Sequence, residues 1–152
     1  MIVVADTTPL RYLVAINRQG LLPALYGRVL IPTAVADELN QESTPAIVRA
    51  WLAGRPAWLE IRQPTRNFGP EVDLDRGEHE AIALAEEVSA DLLLMDEWDG
   101  RQEAERRHLH VVGTLRVLAD GAASGLTNLE ELREFTSDQF PCECGTARVL
   151  AE

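Results

Sequence analysis

Two aspartates directly follow short apolar runs, and this placement suggests a site that binds metal. Asp6 comes after the apolar residues 2–5, and Asp96 comes after the apolar residues 92–95. Both runs are typical of buried parallel strands, and open α/β sheets bind ligands at the carboxyl ends of such strands. Two carboxylates at one edge therefore favour metal-ion chemistry, unless each aspartate only caps the helix that follows it.

Helical periodicity directs two glutamates toward the apolar core. At 100° per residue, Glu38 lies about 60° from the apolar Val35, whereas Asp37 lies nearly opposite and should face water. Taken alone, a glutamate at a helix edge such as Glu38 is most often a solvated residue. In a later helix, Glu78 falls in the middle of the apolar stripe. The spacing of Asp75 and Glu78 also fits a capping box, and a capping role and a site role can coexist.

The four carboxylates are most informative as a set, because they come from four separate segments that could converge on one sheet edge. Burial of like charges is costly unless cations compensate, and the chain contains no lysine. Oxygen ligands of this kind suit Mg²⁺ or Mn²⁺, which keep several waters and also bind phosphate oxygens. We expect Asp6 and Asp96 to hold the metal, with Glu38 and Glu78 as ligands or water-positioning groups.

Several neighbouring residues are weaker candidates for the same site. The hydroxyls of Thr7 and Thr8 could fix a ligand carboxylate by hydrogen bonding. Three further acids are close enough in the sequence to compete for a role, namely Asp75, Glu97 and Asp99.

Arginine, histidine and cysteine residues allow other interpretations of how the chain binds substrate or metal. Arg101 could contact a substrate phosphate, although arginines interleaved with acids are more typical of a solvated helix face. A zinc-binding site could be formed by His108, His110, Cys142 and Cys144. Their H-x-H and C-x-C spacings are not those of the usual structural zinc sites.

The charge balance excludes several classes of protein. The 14 basic residues are all arginine, and 25 acidic residues give a net charge of −11. This charge argues against nucleic-acid binding by bulk electrostatics, so a polyanionic substrate would require a divalent metal. The absence of lysine excludes P-loop NTPases, Schiff-base enzymes and lysine-dependent phosphorelay receivers. No G-x-G-x-x-G motif supports dinucleotide binding.

The periodicity predicts an α/β protein that places these residues along one sheet. We predict strands at 2–5, 28–31, 57–62, 91–95 and 110–112, and helices at about 9–19, 33–41, 44–54, 76–89, 99–108, 114–123 and 128–135. Strands separated by crossover helices predict a mostly parallel central sheet with helices on both faces. The length of 152 residues fits a single domain spanning 1–152, with one long loop at 63–73.

The location of the protein is expected to be cytoplasmic. No apolar run is long enough to span a membrane, and the N-terminus lacks the features of a signal peptide. The only two cysteines, Cys142 and Cys144, lie in a short tail, which argues against a disulfide framework.

Five sequence blocks, in order and at consistent spacing, resemble a known family. They are V-V-A-D-T-T-P-L, I-P-T-A-V-A-D-E-L, L-D-R-G-E-H-E-A-I-A-L-A, A-D-L-L-L-M-D-E and V-V-G-T-L. This pattern resembles the PIN domain, the nuclease fold of VapC-type toxins. The resemblance covers about residues 1–126 and leaves 127–152 as a C-terminal helix and tail. The tail with Cys142 and Cys144 matches none of the blocks.

The resemblance implies a PIN-like three-layer fold and an endoribonuclease that uses Mg²⁺ or Mn²⁺ to hydrolyse RNA. It assigns the catalytic and metal-binding roles to the four acids that periodicity selected, Asp6, Glu38, Glu78 and Asp96. The third family acid is often aspartate, so Glu78 is a departure that adds a methylene group. The resemblance also implies a homodimer and an antitoxin protein that inserts a segment over the acidic site.

Two other functions fit parts of the sequence. The first is a PIN-fold module that binds RNA or protein without cutting it, because sequence alone does not establish a competent geometry. The second is a phosphatase of the haloacid-dehalogenase type, which also places an aspartate after its first strand. That chemistry requires a second aspartate two residues later, where this chain has Thr8, and a lysine that this chain lacks.

Overall fold

A five-stranded parallel sheet forms the centre of the molecule. The computed structural model describes residues 1–66 and 73–128, together with residues 130 and 133. Within these residues the strands run in the order β3-β2-β1-β4-β5, and every neighbouring pair is parallel. They are β1 (Val3–Ala5), β2 (Val29–Ile31), β3 (Leu59–Ile61), β4 (Leu92–Leu94) and β5 (Val111–Val112).

Seven helices in the described part of the chain connect and flank the strands. They are α1 (Thr7–Ala15), α2 (Leu21–Tyr26), α3 (Thr33–Leu39), α4 (Ala46–Ala53), α5 (Arg76–Glu87), α6 (Trp98–Arg106) and α7 (Thr114–Ala123). None of these helices is long and apolar enough to cross a membrane.

The side chains of the strands alternate between two hydrophobic cores, one on each face of the sheet. In β1, Val3 and Ala5 pack into a core with apolar residues of α1, α2, α3, α4 and α7, whereas Val4 packs into a second core with α5 and α6. This alternation follows from the two-residue period of a strand. The predicted three-layer α/β fold, with a parallel sheet between helical layers, is confirmed.

The strand register brings several chain segments together at the carboxyl edge of the sheet. Ala5 pairs with Leu94, and the N–H of Asp6 donates to the carbonyl of Leu94 at 2.9 Å. The N–H of Met95 donates to the carbonyl of Val112 at 3.0 Å. The segments that follow β1, β4 and β5 therefore begin side by side at this edge.

The largest departure from the predicted elements lies after the first strand. The helix expected at about 9–19 is α1, which ends already at Ala15, and the helix α2 that follows it was not predicted. Asn17 interrupts the helix with a left-handed backbone (φ 55°), a conformation that asparagine tolerates better than most residues. Most of the helix predicted at 128–135, part of the loop predicted at 63–73 and the whole cysteine tail lie outside the described residues.

A buried carboxylate links α6 to α5. Glu103 is only 4% exposed and accepts hydrogen bonds from Arg107 Nε and Arg106 Nη2, both at 2.6 Å. Arg107 also pairs with Glu86 on α5 at 3.3 Å. The carboxylate thus holds one arginine in position to bridge the two helices on that face of the sheet.

We predict that Glu103→Gln lowers the free energy of unfolding by about 1–3 kcal/mol, because charge-assisted hydrogen bonds to a buried group are lost. The matched control is Glu105→Gln, which changes an exposed glutamate of the same helix and should cost under ~0.5 kcal/mol. Urea unfolding of the two variants measures the difference. Equal stabilities would show that the buried ion pairs contribute nothing to the fold.

Candidate functional site

Asp6 is a buried carboxylate with an unsatisfied oxygen. It takes the N-cap position of α1 with an extended backbone (φ −84°, ψ 174°), yet its side chain makes no capping hydrogen bond. The residue is 2% exposed, and its Oδ1 has no hydrogen-bond partner in the part of the chain that the structure describes. Helix capping, the alternative considered for this aspartate, does not account for its burial.

The surroundings of Asp6 favour its protonated form when no cation is present. Burial raises the pKa of Asp6 to about 8, and the nearby carboxylates of Glu97, Asp75 and Glu78 add to the increase. The backbone N–H of Thr7 partly offsets this effect. Asp6 therefore lies within electrostatic reach of three other acids.

Glu38 is held beside Asp6 by the first residue of α1. The hydroxyl of Thr7 donates to Glu38 Oε2, and α3 packs closely against α5 at Gly77. A Cβ atom at Gly77 would lie 2.5 Å from Glu38 Oε1, so only glycine leaves room for the carboxylate there. Burial is the main reason that the pKa of Glu38 is raised. Asp37 is exposed and pairs with Arg76 at 3.3 Å, which confirms the predicted helix phase.

Glu78 combines a capping role with a place in the acidic cluster. The N–H of Glu78 donates to Asp75 Oδ1 at 2.8 Å, and the N–H of Asp75 donates to Glu78 Oε2 at 3.1 Å. The predicted capping box is therefore confirmed. Glu78 is 7% exposed, and burial raises its pKa to about 7, with further increases from Asp75, Glu97 and Asp99.

Asp96 lies at the same edge but contacts the start of α7. Its Oδ1 accepts a hydrogen bond from the N–H of Thr114 at 2.7 Å, and its Oδ2 accepts one from the Thr114 hydroxyl at 2.5 Å. A Cβ atom at Gly113 would lie 2.7 Å from Asp96 Oδ1 and 2.9 Å from Arg101 Nη1. Asp96 therefore caps a helix other than the one that follows it. Each oxygen still keeps a lone pair, so its role as a metal ligand stays a prediction.

Glu97 has a more central place than its sequence position indicated. It forms the N-cap of α6, and the hydroxyl of Thr8 donates to its Oε1. Its Oε2 is buried without a hydrogen-bond partner among the described residues. Periodicity could not reveal this arrangement, because Glu97 lies in a loop between strand and helix. The only available signal was its position after the strand that carries Asp96.

Arg101 and the histidines complete the set of predicted residues. Arg101 is partly buried, and its Nη1 donates to the Met95 carbonyl at 3.3 Å beside Asp96. His108 and His110 are both exposed, while the cysteines of the proposed zinc-binding site lie outside the described residues. Asp99 is exposed at the start of α6.

The structure thus brings Asp6, Glu38 and Glu78 together with Asp75 and Glu97, and places Asp96 next to them along the edge. Two buried acceptor oxygens without partners, surrounded by like charges, suit a divalent cation. Among residues 1–66 and 73–128, however, no three His, Cys, Asp or Glu side chains form a ready metal-binding group. A cation such as Mg²⁺, which commonly takes one or two protein carboxylates and fills its other positions with water and substrate oxygens, would not need such a group.

The raised pKa of Asp6 predicts that metal-free protein loses stability as the pH rises. Between the ordinary pKa of 3.8 and the folded value of about 8, the folded state holds a proton that the unfolded state has released. The free energy of unfolding should therefore fall with increasing pH, by at most about 1.4 kcal/mol per pH unit for this group. In EDTA, we expect the melting temperature to drop by about 5 °C or more between pH 5.5 and pH 8.

Asp6→Asn should reduce this pH dependence, because asparagine does not titrate, while the raised pKa of Glu78 preserves part of it below about pH 7. Asp37→Asn is the matched control, since it changes an exposed aspartate of α3. An Asp6→Asn variant with the same pH dependence as the wild type would show that Asp6 does not carry the effect.

Comparison with known proteins agrees with this architecture. The family model DUF3368, described as a PIN domain, matches residues 2–139. Among solved structures, the chain is similar to a PilT N-terminus domain protein from the hyperthermophilic archaeon Sulfolobus solfataricus P2. That similarity has a TM-score of 0.57 and 17% sequence identity, and covers 79% of this chain and 92% of the other. No curated protein matches the chain. The family match over most of the sequence establishes that this chain belongs to the PIN domain family, whose members are generally nucleases.

Proposed function

We propose that this protein is an endoribonuclease that hydrolyses RNA phosphodiester bonds with the help of Mg²⁺ or Mn²⁺. The observation that carries the proposal is the carboxylate of Asp6, which is buried, has an unsatisfied oxygen and is surrounded by other acids at the carboxyl edge of the sheet. Membership of the PIN domain family supports a nuclease function. The acid set supports catalysis over a purely structural role.

In this proposal Asp6 and Asp96 hold the metal, and Glu38 and Glu78 act as further ligands or position water. When bound, a divalent metal supplies an activated water and stabilises negative charge on the leaving oxygen. A cation also removes the electrostatic cost of placing several carboxylates together. The net charge of −11 adds a second reason for a metal, because the chain must bind a polyanion.

The protein side chains have distinct tasks in the proposed hydrolysis. Thr7 fixes Glu38 through its hydroxyl, which restricts the orientation of that carboxylate. Glu78 is held at Oε2 by the Asp75 N–H, and the burial that raises its pKa makes it a stronger base toward the proton of the attacking water.

Arg101 is the proposed contact for the substrate phosphate. The acidic edge is the part of the carboxyl edge of the sheet where the acids of the site lie. The guanidinium of Arg101 lies beside Asp96 at this acidic edge, and it forms no ion pair with any carboxylate of the described residues. An arginine is suited to this task, because its planar fork can bind two phosphate oxygens at once.

The biological context that we propose is a cytoplasmic toxin–antitoxin pair of the VapC type. The enzyme would form a homodimer, and an antitoxin protein would insert a segment over the acidic site. Since that site is rich in carboxylates, the inserted segment would offer arginine. This part of the proposal rests on the resemblance of the five sequence blocks to VapC-type toxins.

One observation favours a second candidate, a PIN-fold module that binds RNA or protein without cutting it. In the described part of the chain, the acids do not form a ready group of three metal ligands. A site without bound metal would leave a surface that recognises a partner and performs no chemistry.

Cleavage of mixed RNA with Mn²⁺ separates these two functions. We predict that Asp6→Asn lowers the cleavage rate at least about 100-fold, because it removes the charge at the centre of the proposed metal site. Asp37→Asn should retain wild-type activity, since its side chain faces solvent. Wild-type protein, free of any inhibitor, that cuts no RNA with any divalent metal would favour the binding module. Equal activity of wild type and Asp6→Asn would indicate a contaminating nuclease.

A separate prediction concerns proton transfer by Glu78. Glu78→Gln keeps an acceptor for the Asp75 N–H, so the capping box and the stability should be nearly retained. We expect the cleavage rate to fall about 10²–10⁴-fold, and the part of the pH dependence of the rate that comes from titration of Glu78 to disappear. The control is Glu42→Gln at an exposed position. A Glu78→Gln enzyme with the wild-type pH profile would exclude Glu78 as the base.

A further inference from the structure

Two unsatisfied oxygens at the acidic edge belong to residues that follow the neighbouring strands β1 and β4. Asp6 Oδ1 and Glu97 Oε2 are both buried and lack a hydrogen-bond partner among the described residues. Asp6 itself is 2% exposed, so water has little access to its carboxylate. Buried acceptor oxygens without partners are costly, and a bound cation would satisfy both.

We infer that Glu97 is a metal ligand that shares the divalent cation with Asp6, in addition to the four acids assigned above. This inference rests on the metal dependence in the proposed function. It names a residue outside the acid set on which the nuclease proposal is built.

The topology places Glu97 close to Asp6. The strands β1 and β4 are adjacent in the sheet, with Ala5 opposite Leu94. The first residue after β1 is Asp6, and its N–H donates to the carbonyl of Leu94 at 2.9 Å. Glu97 follows three residues after Leu94 and begins α6 at the same edge. The two carboxylates therefore approach each other from neighbouring strand ends.

The hydrogen bonds at this edge distinguish Glu97 from Asp96. The Thr8 hydroxyl donates to Glu97 Oε1 and fixes the side chain, while Oε2 remains without a partner. Both oxygens of Asp96, by contrast, accept hydrogen bonds from Thr114. Of the two acids after β4, Glu97 thus has the oxygen with the greater need for a further partner.

The chemistry of the pair fits a hard cation. Mg²⁺ and Mn²⁺ prefer oxygen ligands, and Mg²⁺ is often bound by only one or two carboxylates with water in its other positions. Asp6 and Glu97 would supply two such carboxylates. The nearest alternative is a proton shared between them, which would satisfy the same oxygens without a metal.

Calorimetric titration of the full chain with Mn²⁺ at about pH 8 tests the inference without measuring activity. We expect Glu97→Gln to weaken Mn²⁺ binding at least about tenfold, because a charged ligand becomes a neutral amide. Glu105→Gln is the matched control from α6, and its exposed side chain should leave the Kd within about threefold of wild type. Wild-type affinity in Glu97→Gln would overturn the inference and favour a shared proton.

The threonine that holds Glu97 provides a second test, which does not change the charge of the site. Thr8→Val removes the hydroxyl and retains the shape, so it should weaken Mn²⁺ binding about three- to tenfold, and Thr8→Ser should restore it. Binding that is unchanged in both Glu97→Gln and Thr8→Val would exclude Glu97 as a ligand. The melting temperature of each metal-free variant shows whether it is folded before the titration.

The outcomes separate this inference from the proposed nuclease. Mn²⁺ binding that depends on Glu97, in a wild-type protein that cuts no RNA, would support the ligand assignment and reject the nuclease. If the wild type cleaves RNA and Mn²⁺ binding does not depend on Glu97, the nuclease proposal is supported and the ligand assignment is rejected. A wild-type protein that binds no Mn²⁺ would overturn both.

Discussion

The electrostatic cost of the buried carboxylates is the constraint on which the rest of the site depends. Asp6 lies almost fully out of solvent, and its pKa is raised to about 8 by burial and by neighbouring acids. At neutral pH a carboxylate in such surroundings is mostly protonated unless a cation compensates its charge. The chain contains no lysine, and no cationic side chain is among the groups that most shift the pKa of Asp6. This need for an external cation connects the fold to the metal-dependent function that we propose.

The fold maintains this arrangement by fixing each carboxylate from a different element. Parallel strand ends supply Asp6 and Asp96, while threonine hydroxyls of α1 hold Glu38 and Glu97. Gly77 gives Glu38 the space to lie against α5. Like charges that meet at this edge lower the stability of the folded state. The two hydrophobic cores on either side of the sheet offset that cost. The acidic edge is therefore preorganised before a metal or substrate arrives.

Much of this could be predicted from the sequence, because periodicity reports which face of an element is buried. The 3.6-residue period of a helix was enough to predict that Glu38 lies toward the core and Asp37 in solvent. Contacts between distant segments have no such signature. The hydrogen bonds of Asp96 reach a residue 18 positions later, and Glu97 is oriented by a hydroxyl 89 positions earlier. The break at Asn17 was missed for another reason, because one left-handed residue ends a helix without changing its apolar pattern.

The most direct test of this account is the melting temperature of the wild-type protein at about pH 8 as Mn²⁺ is added. If the acidic edge requires a cation, Mn²⁺ at about 100 times its Kd should stabilise the folded state by ~2.7 kcal/mol. The melting temperature should then rise by about 5–10 °C, and this rise should be smaller at about pH 5.5, where protons compete for the same carboxylates. A melting temperature that does not change with millimolar Mn²⁺ at either pH would contradict the claim that a cation compensates the buried charges.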